Sequence, residues 1–170
     1  MKYLDTMVTF REFPDEIALC INITNCPFHC PGCHSPELWE DVGIELTFDE
    51  ILKLISKNEG ITCIGLMGGN PKEINELAKA IFHIDFCNHT YKIGWYWGGT
   101  SIPNEIELEL FDYIKLGPYK KELGGLDNPN TNQRMYQHSL YFSDCNSELG
   151  VGWRDITYKF WKHGRENREN

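Results

Sequence analysis

The chain has 170 residues and a formal net charge of −9; this length is enough for one hydrophobic core and short for two. We therefore expect a single domain over residues 1–162, followed by a polar, frayed tail at 163–170. The acidic charge argues against a nucleic-acid partner, because phosphate binding requires clustered Lys and Arg. No apolar run reaches the length of a membrane span and the N-terminus lacks a signal-peptide core, so we expect a cytoplasmic protein without membrane contact.

The first predicted elements are two β-like segments, 7–13 and 17–24, which should pair and lead into a cysteine-rich loop. A helix is predicted to follow the loop, because Thr47 and Glu50 match a capping box. Its apolar residues recur at helical spacing and should share one face: Phe48, Ile51, Leu52 and Ile55.

The middle of the chain alternates apolar runs with helical patterns. Buried strands are predicted at 61–67, 91–97 and 113–116. A second helix should begin at Pro71, after Gly68-Gly69-Asn70, and a weaker helix is predicted over 103–111. The face of the second helix should comprise Ile74, Leu77, Ala78 and Ile81.

This alternation predicts an α/β fold with a mostly parallel sheet and right-handed crossovers. Because a full eight-unit barrel typically needs ~250 residues, we expect a partial, open β/α barrel. Ligands bind at the carboxyl ends of parallel strands, which is where the cysteine loop and the glycine pair fall.

Three cysteines, Cys26, Cys30 and Cys33, lie within eight residues of one loop. Thiolates are soft ligands that suit zinc and iron–sulfur clusters, so this loop predicts a metal site. With His29 or His34 as a fourth ligand the site could hold structural zinc. No second Cys/His pair of matching spacing exists, which weighs against zinc, but the spacing leaves both alternatives open.

The other cysteines are isolated in the sequence. Three lie in or near apolar runs and are expected to be buried packing residues: Cys20, Cys63 and Cys87. Cys145 has no assigned role.

The Cys-x3-Cys-x2-Cys pattern after the first strands resembles the radical S-adenosylmethionine superfamily. The wider sequence is similar to the activating proteins of anaerobic ribonucleoside-triphosphate reductases, a branch of oxidoreductases that activate glycyl-radical enzymes. The further matching segments are Gly68-Gly69, Asp112 through Gly117-Pro118-Tyr119, and Asn130-Thr131-Asn132-Gln133-Arg134.

The resemblance implies that the three cysteines hold a [4Fe–4S] cluster whose fourth iron binds S-adenosylmethionine. One electron, from a low-potential donor such as flavodoxin or ferredoxin, then yields methionine and a 5′-deoxyadenosyl radical. That radical would remove a hydrogen from a glycine near the C-terminus of the partner reductase. No catalytic side chain beyond the cluster ligands is implied.

The residues that the resemblance assigns to S-adenosylmethionine are Gly32, Cys33, His34, Gly68, Gly69 and Asn70. Two positions depart from the superfamily pattern: Gly32 stands where many members have an aromatic residue, and Asn70 where an acidic residue is usual. Asn70 keeps an acceptor but loses the charge that strengthens such a bond. It is also a good helix N-cap, and His34 could be an ordinary polar loop residue.

Three more residues are candidates for contact with the partner or the cofactor: Trp97, Asn132 and Arg134. Most of the aromatic strand at 91–97 should be core, and Arg134 could bind a carboxylate or form an ion pair that fixes its loop. We expect the reductase to dock near 117–134. The alternatives are a radical S-adenosylmethionine enzyme acting on another peptide or small molecule, and a zinc-stabilised binding module.

Overall fold

The computed structural model of this chain describes residues 1–84, 91–139 and 146–161. The strands in chain order are β1 (Lys2–Thr9), β2 (Ala18–Ile23), β3 (Ile44–Glu45), β4 (Cys63–Gly68), β5 (Lys92–Tyr96), β6 (Tyr113–Leu116), β7 (Arg134–His138), β8 (Asn146–Ser147), β9 (Gly150–Val151) and β10 (Trp153–Asp155). The α-helices are α1 (Phe48–Lys57) and α2 (Pro71–Ile84), and short 3₁₀ helices lie at Pro36–Trp39, Leu108–Leu110 and Thr157–Phe160. None of the helices in these ranges is long and apolar enough to cross a membrane.

Eight strands form one mixed sheet in the order β10-β7-β6-β5-β4-β2-β1-β3, and β8 pairs with β9 separately. The four central strands, β2, β4, β5 and β6, are parallel to one another. The strands on both sides of them are antiparallel. The expected parallel arrangement is therefore limited to the centre of the sheet, and the partial barrel stays a prediction.

The first strand differs from its prediction at both ends. β1 begins at Lys2 and ends at Thr9, whereas the sequence predicted a strand over 7–13. The reason is that Phe13, which has no exposed surface, leaves the strand and packs across the sheet against Tyr96 and Tyr113. β2 lies inside its predicted range and pairs with β1 in antiparallel orientation.

Helix α1 begins as the capping box predicted, because the Thr47 hydroxyl accepts the backbone N–H of Glu50 at 3.2 Å. Its buried face was predicted only in part. Ile51 and Leu54 are buried, whereas Phe48 and Leu52 are 49% and 39% exposed. The helix therefore covers the sheet with a narrower stripe than the sequence predicted.

Helix α2 confirms its prediction, since the four residues assigned to its inner face are all buried. The predicted helix over 103–111 is wrong, because only Leu108–Leu110 form a single 3₁₀ turn. The Asn75 side chain of α2 accepts the backbone N–H of Glu107 at 2.8 Å. The N–H of Glu107 is therefore bonded to a side chain of α2 and not to a carbonyl of its own segment, as it would be within a helix. The connection from β5 to β6 is thus a loop held against α2.

The core lies on both faces of the sheet. The larger cluster includes the apolar faces of α1 and α2, while the smaller one gathers Phe13, Tyr113 and Met135 on the other face. Cys20 and Cys63 are fully buried there, as expected of packing residues, and burial raises the pKa of both thiols. Cys87, Cys145 and the predicted tail at 163–170 lie outside the described residues.

Candidate functional site

The carboxyl ends of the four parallel strands meet at one edge of the sheet. Ile23 at the end of β2 is in register with Gly68 at the end of β4. Beyond β5 and β6 the same alignment continues, because the backbone N–H of Gly117 donates to the carbonyl of Gly99 at 2.7 Å. The loops that follow these strands therefore lie side by side, and we call this the carboxyl edge.

The cysteine loop leaves β2 and is closed on itself by backbone hydrogen bonds. Cys26 N–H donates to the Leu38 carbonyl at 2.9 Å, and Cys33 N–H donates to the Cys30 carbonyl at 3.0 Å. Three of its residues have positive φ: Asn25 at 62°, His29 at 44° and Gly32 at 75°. Positive φ is unfavourable for His, so the surrounding contacts hold this conformation in place.

Aromatic contacts fix the loop over the carboxyl edge. The ring centroids are 4.5 Å apart in the pair Phe28 and Trp97, 5.0 Å in His29 and Trp39, and 4.9 Å in His34 and Tyr119. Since Trp97 follows β5 and Tyr119 follows β6, the loop spans the ends of two neighbouring strands. A loop fixed at both sides presents its thiols in a defined arrangement.

The three thiols of the loop are half-buried and act electrostatically on one another. Burial, followed by the charges of Cys30 and Cys33, raises the pKa of Cys26, while backbone N–H groups of Phe28 and His29 oppose this rise. The Ser35 N–H donates to Cys33 Sγ at 3.4 Å. A cation bound to the sulfurs would remove the cost of holding three thiolates together.

The donor set fits an iron–sulfur cluster better than a single metal ion. Within the described residues, no group of three or more His, Cys, Asp or Glu side chains is arranged to hold one ion. Zinc needs all its ligands at about 2.0–2.3 Å from a single point. A cubane takes each thiolate on a different iron, so three sulfurs that face a common volume are sufficient.

A buried cation lies near the end of β6, at the turn that Gly117 forms. Lys115 is only 6% exposed, and its ammonium donates to the carbonyl of Gly117 at 2.6 Å. Burial lowers the pKa of Lys115 to about 8, and the three cysteine sulfurs oppose this shift. The ammonium is therefore still mostly charged at neutral pH. Sequence reasoning missed this residue, although a lysine between the apolar residues of a predicted buried strand was a usable signal.

The predicted glycine pair closes β4 at the carboxyl edge. Gly68 and Gly69 have φ of +93° and +85°, a conformation that side chains rarely adopt. Asn70 caps α2, because its side-chain oxygen accepts the Lys72 N–H at 3.1 Å. This contact confirms the capping role predicted for Asn70, while its role toward S-adenosylmethionine stays a prediction.

The Asn-Gln-Arg segment braces the turn after β6. Asn132 donates to the Pro118 carbonyl at 2.9 Å, and Gln133 donates to the Gly117 carbonyl at 3.4 Å. Arg134 donates to two carbonyls of its own loop and lies 3.7 Å from the Asp155 carboxylate. Its contacts thus match the predicted ion pair that fixes its loop. Contact with a partner stays a prediction for Asn132 and Arg134.

Trp97 is 9% exposed, and its indole N–H donates to the Ser101 carbonyl at 3.1 Å. Two buried polar atoms near this edge have no hydrogen-bond partner among the described residues: Asn132 Oδ1, and Trp39 Nε1 beside His29. An unpaired acceptor and an unpaired donor, both buried, are costly unless a ligand satisfies them. They fit a polar cofactor with amine, hydroxyl and carboxylate groups.

Two cavities lie beside the carboxyl edge. One of about 160 Å³ adjoins Thr24 and Asn25, and one of about 470 Å³ lies against Phe48 and Leu77 of the helices. Neither is lined by the three cysteines or by Gly68, Gly69 and Asn70, so neither coincides with the cofactor residues predicted from the sequence.

Comparison with known proteins gave a family match and one relative. A family model described as a 4Fe-4S single cluster domain matches residues 17–119, which is more than half of the chain. The chain is also 32% identical over 78 residues to the PqqA peptide cyclase of Bradyrhizobium diazoefficiens. That match covers 44% of this chain but only 20% of the cyclase. No solved structure matches.

Proposed function

The chain belongs to the family of 4Fe-4S single cluster domains, and from this we propose that Cys26, Cys30 and Cys33 hold a [4Fe–4S] cluster. We further propose that the protein is a radical S-adenosylmethionine enzyme that activates an anaerobic ribonucleoside-triphosphate reductase. The matched segment includes all three cysteines, the glycine pair and the turn at Gly117. The similarity to a PqqA peptide cyclase supports a peptide as the substrate.

One observation carries the proposal: the loop that holds the three half-buried thiols is packed over the carboxyl edge, against Trp97 and Tyr119. Sulfur ligands at the ends of parallel strands lie where open α/β sheets bind their ligands. A three-cysteine set leaves one iron of a cubane without a protein ligand, and such an iron can bind a chelating substrate.

When bound, the reduced cluster supplies the electron that splits S-adenosylmethionine into methionine and a 5′-deoxyadenosyl radical. The chain positions and shields these groups. Gly32, Cys33 and His34 of the cysteine loop, together with Gly68, Gly69 and Asn70 after β4, would hold the cofactor. The Phe28 ring packs against Trp97, with the ring centroids 4.5 Å apart, and this contact fixes the loop at the end of β5.

The proposed substrate is the glycine segment near the C-terminus of the reductase, which must reach the carboxyl edge. The proposed electron donor is a low-potential protein such as flavodoxin or ferredoxin. A second candidate function is the modification of another peptide, and the similarity to a peptide cyclase favours it. The chain spans 20% of that cyclase, so its substrate cannot be transferred to this protein.

The cluster is tested by anaerobic reconstitution with iron and sulfide. We expect broad visible absorption and S-adenosylmethionine cleavage under reduction, both lost in Cys30→Ala. The matched control is Cys20→Ala, which removes a fully buried cysteine outside the loop and should keep the cluster. Stoichiometric zinc without S-adenosylmethionine cleavage would contradict the assignment and favour the zinc-stabilised module.

The target is tested separately. Reduced protein, S-adenosylmethionine and the candidate reductase should together give the doublet of a glycyl radical in electron paramagnetic resonance spectra. A variant reductase with the radical glycine replaced by alanine is the control and should give no doublet. Cleavage of S-adenosylmethionine without the doublet in the unmodified reductase would instead favour the peptide-modifying alternative.

A further inference from the structure

Lys115 is a buried charge in the middle of the sheet. It lies on β6 between Ile114 and Leu116, and all three residues are buried. The sheet surrounds it on both sides, since β5 and β7 flank β6. Transfer of an ammonium from water into such an interior is costly unless the charge is compensated.

No carboxylate of the described residues supplies this compensation. Their ion pairs include Lys92 with Glu16 at 2.5 Å, near the opposite end of the strands, but none that involves Lys115. Its ammonium bonds one carbonyl and lies 5.9 Å from the centroid of the Tyr96 ring. The cysteine loop packs next to Lys115, because the Trp97 N–H donates to the Lys115 carbonyl at 2.8 Å and the Trp97 ring lies 4.5 Å from Phe28 of the loop.

The position of the ammonium is fixed by the turn that follows β6. Its acceptor, the Gly117 carbonyl, is also bonded by Gln133, and the Gly117 N–H is bonded to Gly99. Gly117 has φ of +101°, and a Cβ there would lie 3.0 Å from the Asn132 carbonyl oxygen, so the turn excludes a side chain. The charge is therefore held at one place relative to the cysteine loop.

We propose that the Lys115 ammonium is the counter-charge of the cysteine-bound cluster and favours its reduced state. The inference rests on the cluster assigned under the proposed function. Reduction adds one electron to a group that already carries three thiolates, and a fixed positive charge in a poorly solvated site makes that addition less unfavourable. Cluster potentials depend on net charge and solvent exposure in this way.

The test is the midpoint potential of the reconstituted cluster, without S-adenosylmethionine or reductase. Titration with titanium(III) citrate, followed by electron paramagnetic resonance, measures the reduced fraction. In Lys115→Met and Lys115→Gln, the ratio of reduced to oxidised cluster at a fixed potential should fall about tenfold, which for one electron is about 59 mV. Lys115→Arg, which keeps the charge, should stay close to the native protein.

The matched control is Lys121→Met. The Lys121 side chain is exposed but lies against the cysteine loop, with its Cβ 3.6 Å from where a Cβ on Gly32 would stand. Because solvent screens its charge, the potential should not move. An equal shift in Lys121→Met and Lys115→Met would overturn the proposal, since any nearby lysine would then act alike.

Two further results would also overturn it. One is an unchanged potential in the neutral Lys115 variants with full cluster content. The other is unfolding of these variants before the cluster is added, measured by circular dichroism, because the Lys115 ammonium would then stabilise the fold itself and not the cluster. A native protein that assembles no cluster would instead refute the iron–sulfur assignment itself, so the two failures are distinguishable.

Discussion

At the scale of single residues, Phe13 fills the sheet face opposite α1 and α2. Its ring lies against β4 and β5, and a Cβ on Gly94 would overlap three carbons of that ring. Gly65, the residue of β4 in register with Gly94, is similarly close to the ring. Both positions thus need glycine for space, because the backbone there has no positive φ.

Gly94→Ala should therefore destabilise the protein by about 1–3 kcal/mol, the usual cost of overpacking a filled core. The measurement is urea unfolding of the native protein and the variant. Gly125→Ala is the matched control, because a Cβ at Gly125 meets only the Asp127 carboxylate, at 3.4 Å. Equal stability of the two variants would show that the Phe13 ring moves aside without cost.

At the scale of elements, Asn70 has two roles at the start of helix α2. It caps the helix, and it is one of the residues proposed to bind the cofactor. An aspartate at this position keeps the capping acceptor and adds the charge that the superfamily pattern usually carries. Asn70→Asp should therefore leave the unfolding free energy nearly unchanged. A charged acceptor binds an ammonium about twice as strongly as a neutral one, so S-adenosylmethionine affinity should rise by about fivefold.

Isothermal titration of the reconstituted protein with S-adenosylmethionine measures this change. Thr47→Asp is the control, since it makes the same kind of substitution at the cap of α1, on a helix without predicted cofactor residues. A tighter complex in both variants would reflect general electrostatics, and an unchanged affinity in Asn70→Asp would place Asn70 outside the cofactor site.

Helix α1 is tied to β1 by one hydrogen bond, from the Tyr3 hydroxyl to Glu50 Oε1 at 2.8 Å. Burial, followed by the Glu50 hydrogen bond, raises the pKa of Tyr3 from 10.0 to about 12. The folded protein holds this proton to a higher pH than the unfolded chain does. The associated stability is therefore present below pH ~10 and is lost as the pH rises toward ~12.

Tyr3→Phe should lower the free energy of unfolding by about 1 kcal/mol at pH 7, because it removes this hydrogen bond. The difference from the native protein should then shrink as the pH rises from ~10 to ~12, because the native tyrosine ionises on unfolding. Urea unfolding at several alkaline pH values measures it. A difference that stays constant over this range would contradict the raised pKa of Tyr3.

At the scale of the whole molecule, the four loops that follow the parallel strands β2, β4, β5 and β6 lie at one edge of the sheet, the carboxyl edge. The opposite edge carries none of the proposed site residues. Thr9, at the end of β1, is in register with Ala18, at the start of β2, so Arg11 lies near the edge away from the cysteines. Lys120 is exposed just beyond the turn at Gly117. Arg11 and Lys120 therefore lie at opposite edges of the sheet.

If the reductase docks near 117–134, Lys120→Glu should weaken its binding by about two- to fivefold, the range for an exposed charge. Arg11→Glu makes the same change in net charge far from this surface and should leave binding unchanged. Biolayer interferometry with immobilised reductase compares the two variants. Equal weakening would indicate a long-range effect of net charge, and no weakening in Lys120→Glu would argue against docking at this surface.

Several helices and strands could be predicted from the sequence, because they depend on interactions between residues that are close together in the chain. The N-cap at Thr47, the inner face of α2 and the strand at 113–116 all formed as predicted, whereas the Glu50 carboxylate bonds Tyr3 and Lys53 instead of completing the capping box. The grouping of Cys26, Cys30 and Cys33 was equally readable, since eight residues of loop keep three thiols near one another in any fold. Iron–sulfur chemistry follows from that grouping and the family match.

Only the tertiary structure decided which distant residues meet. The predicted helix over 103–111 is replaced by a loop with one 3₁₀ turn, and Asn75 of α2 binds the backbone of Glu107 in that loop. The displacement of Phe13 from its predicted strand depends on two glycines of neighbouring strands. The environment of Lys115 was decided in the same way. A lysine within an apolar strand becomes a buried charge next to the cysteine loop only because β6 pairs with the segment that carries Trp97, on which Phe28 of the loop packs.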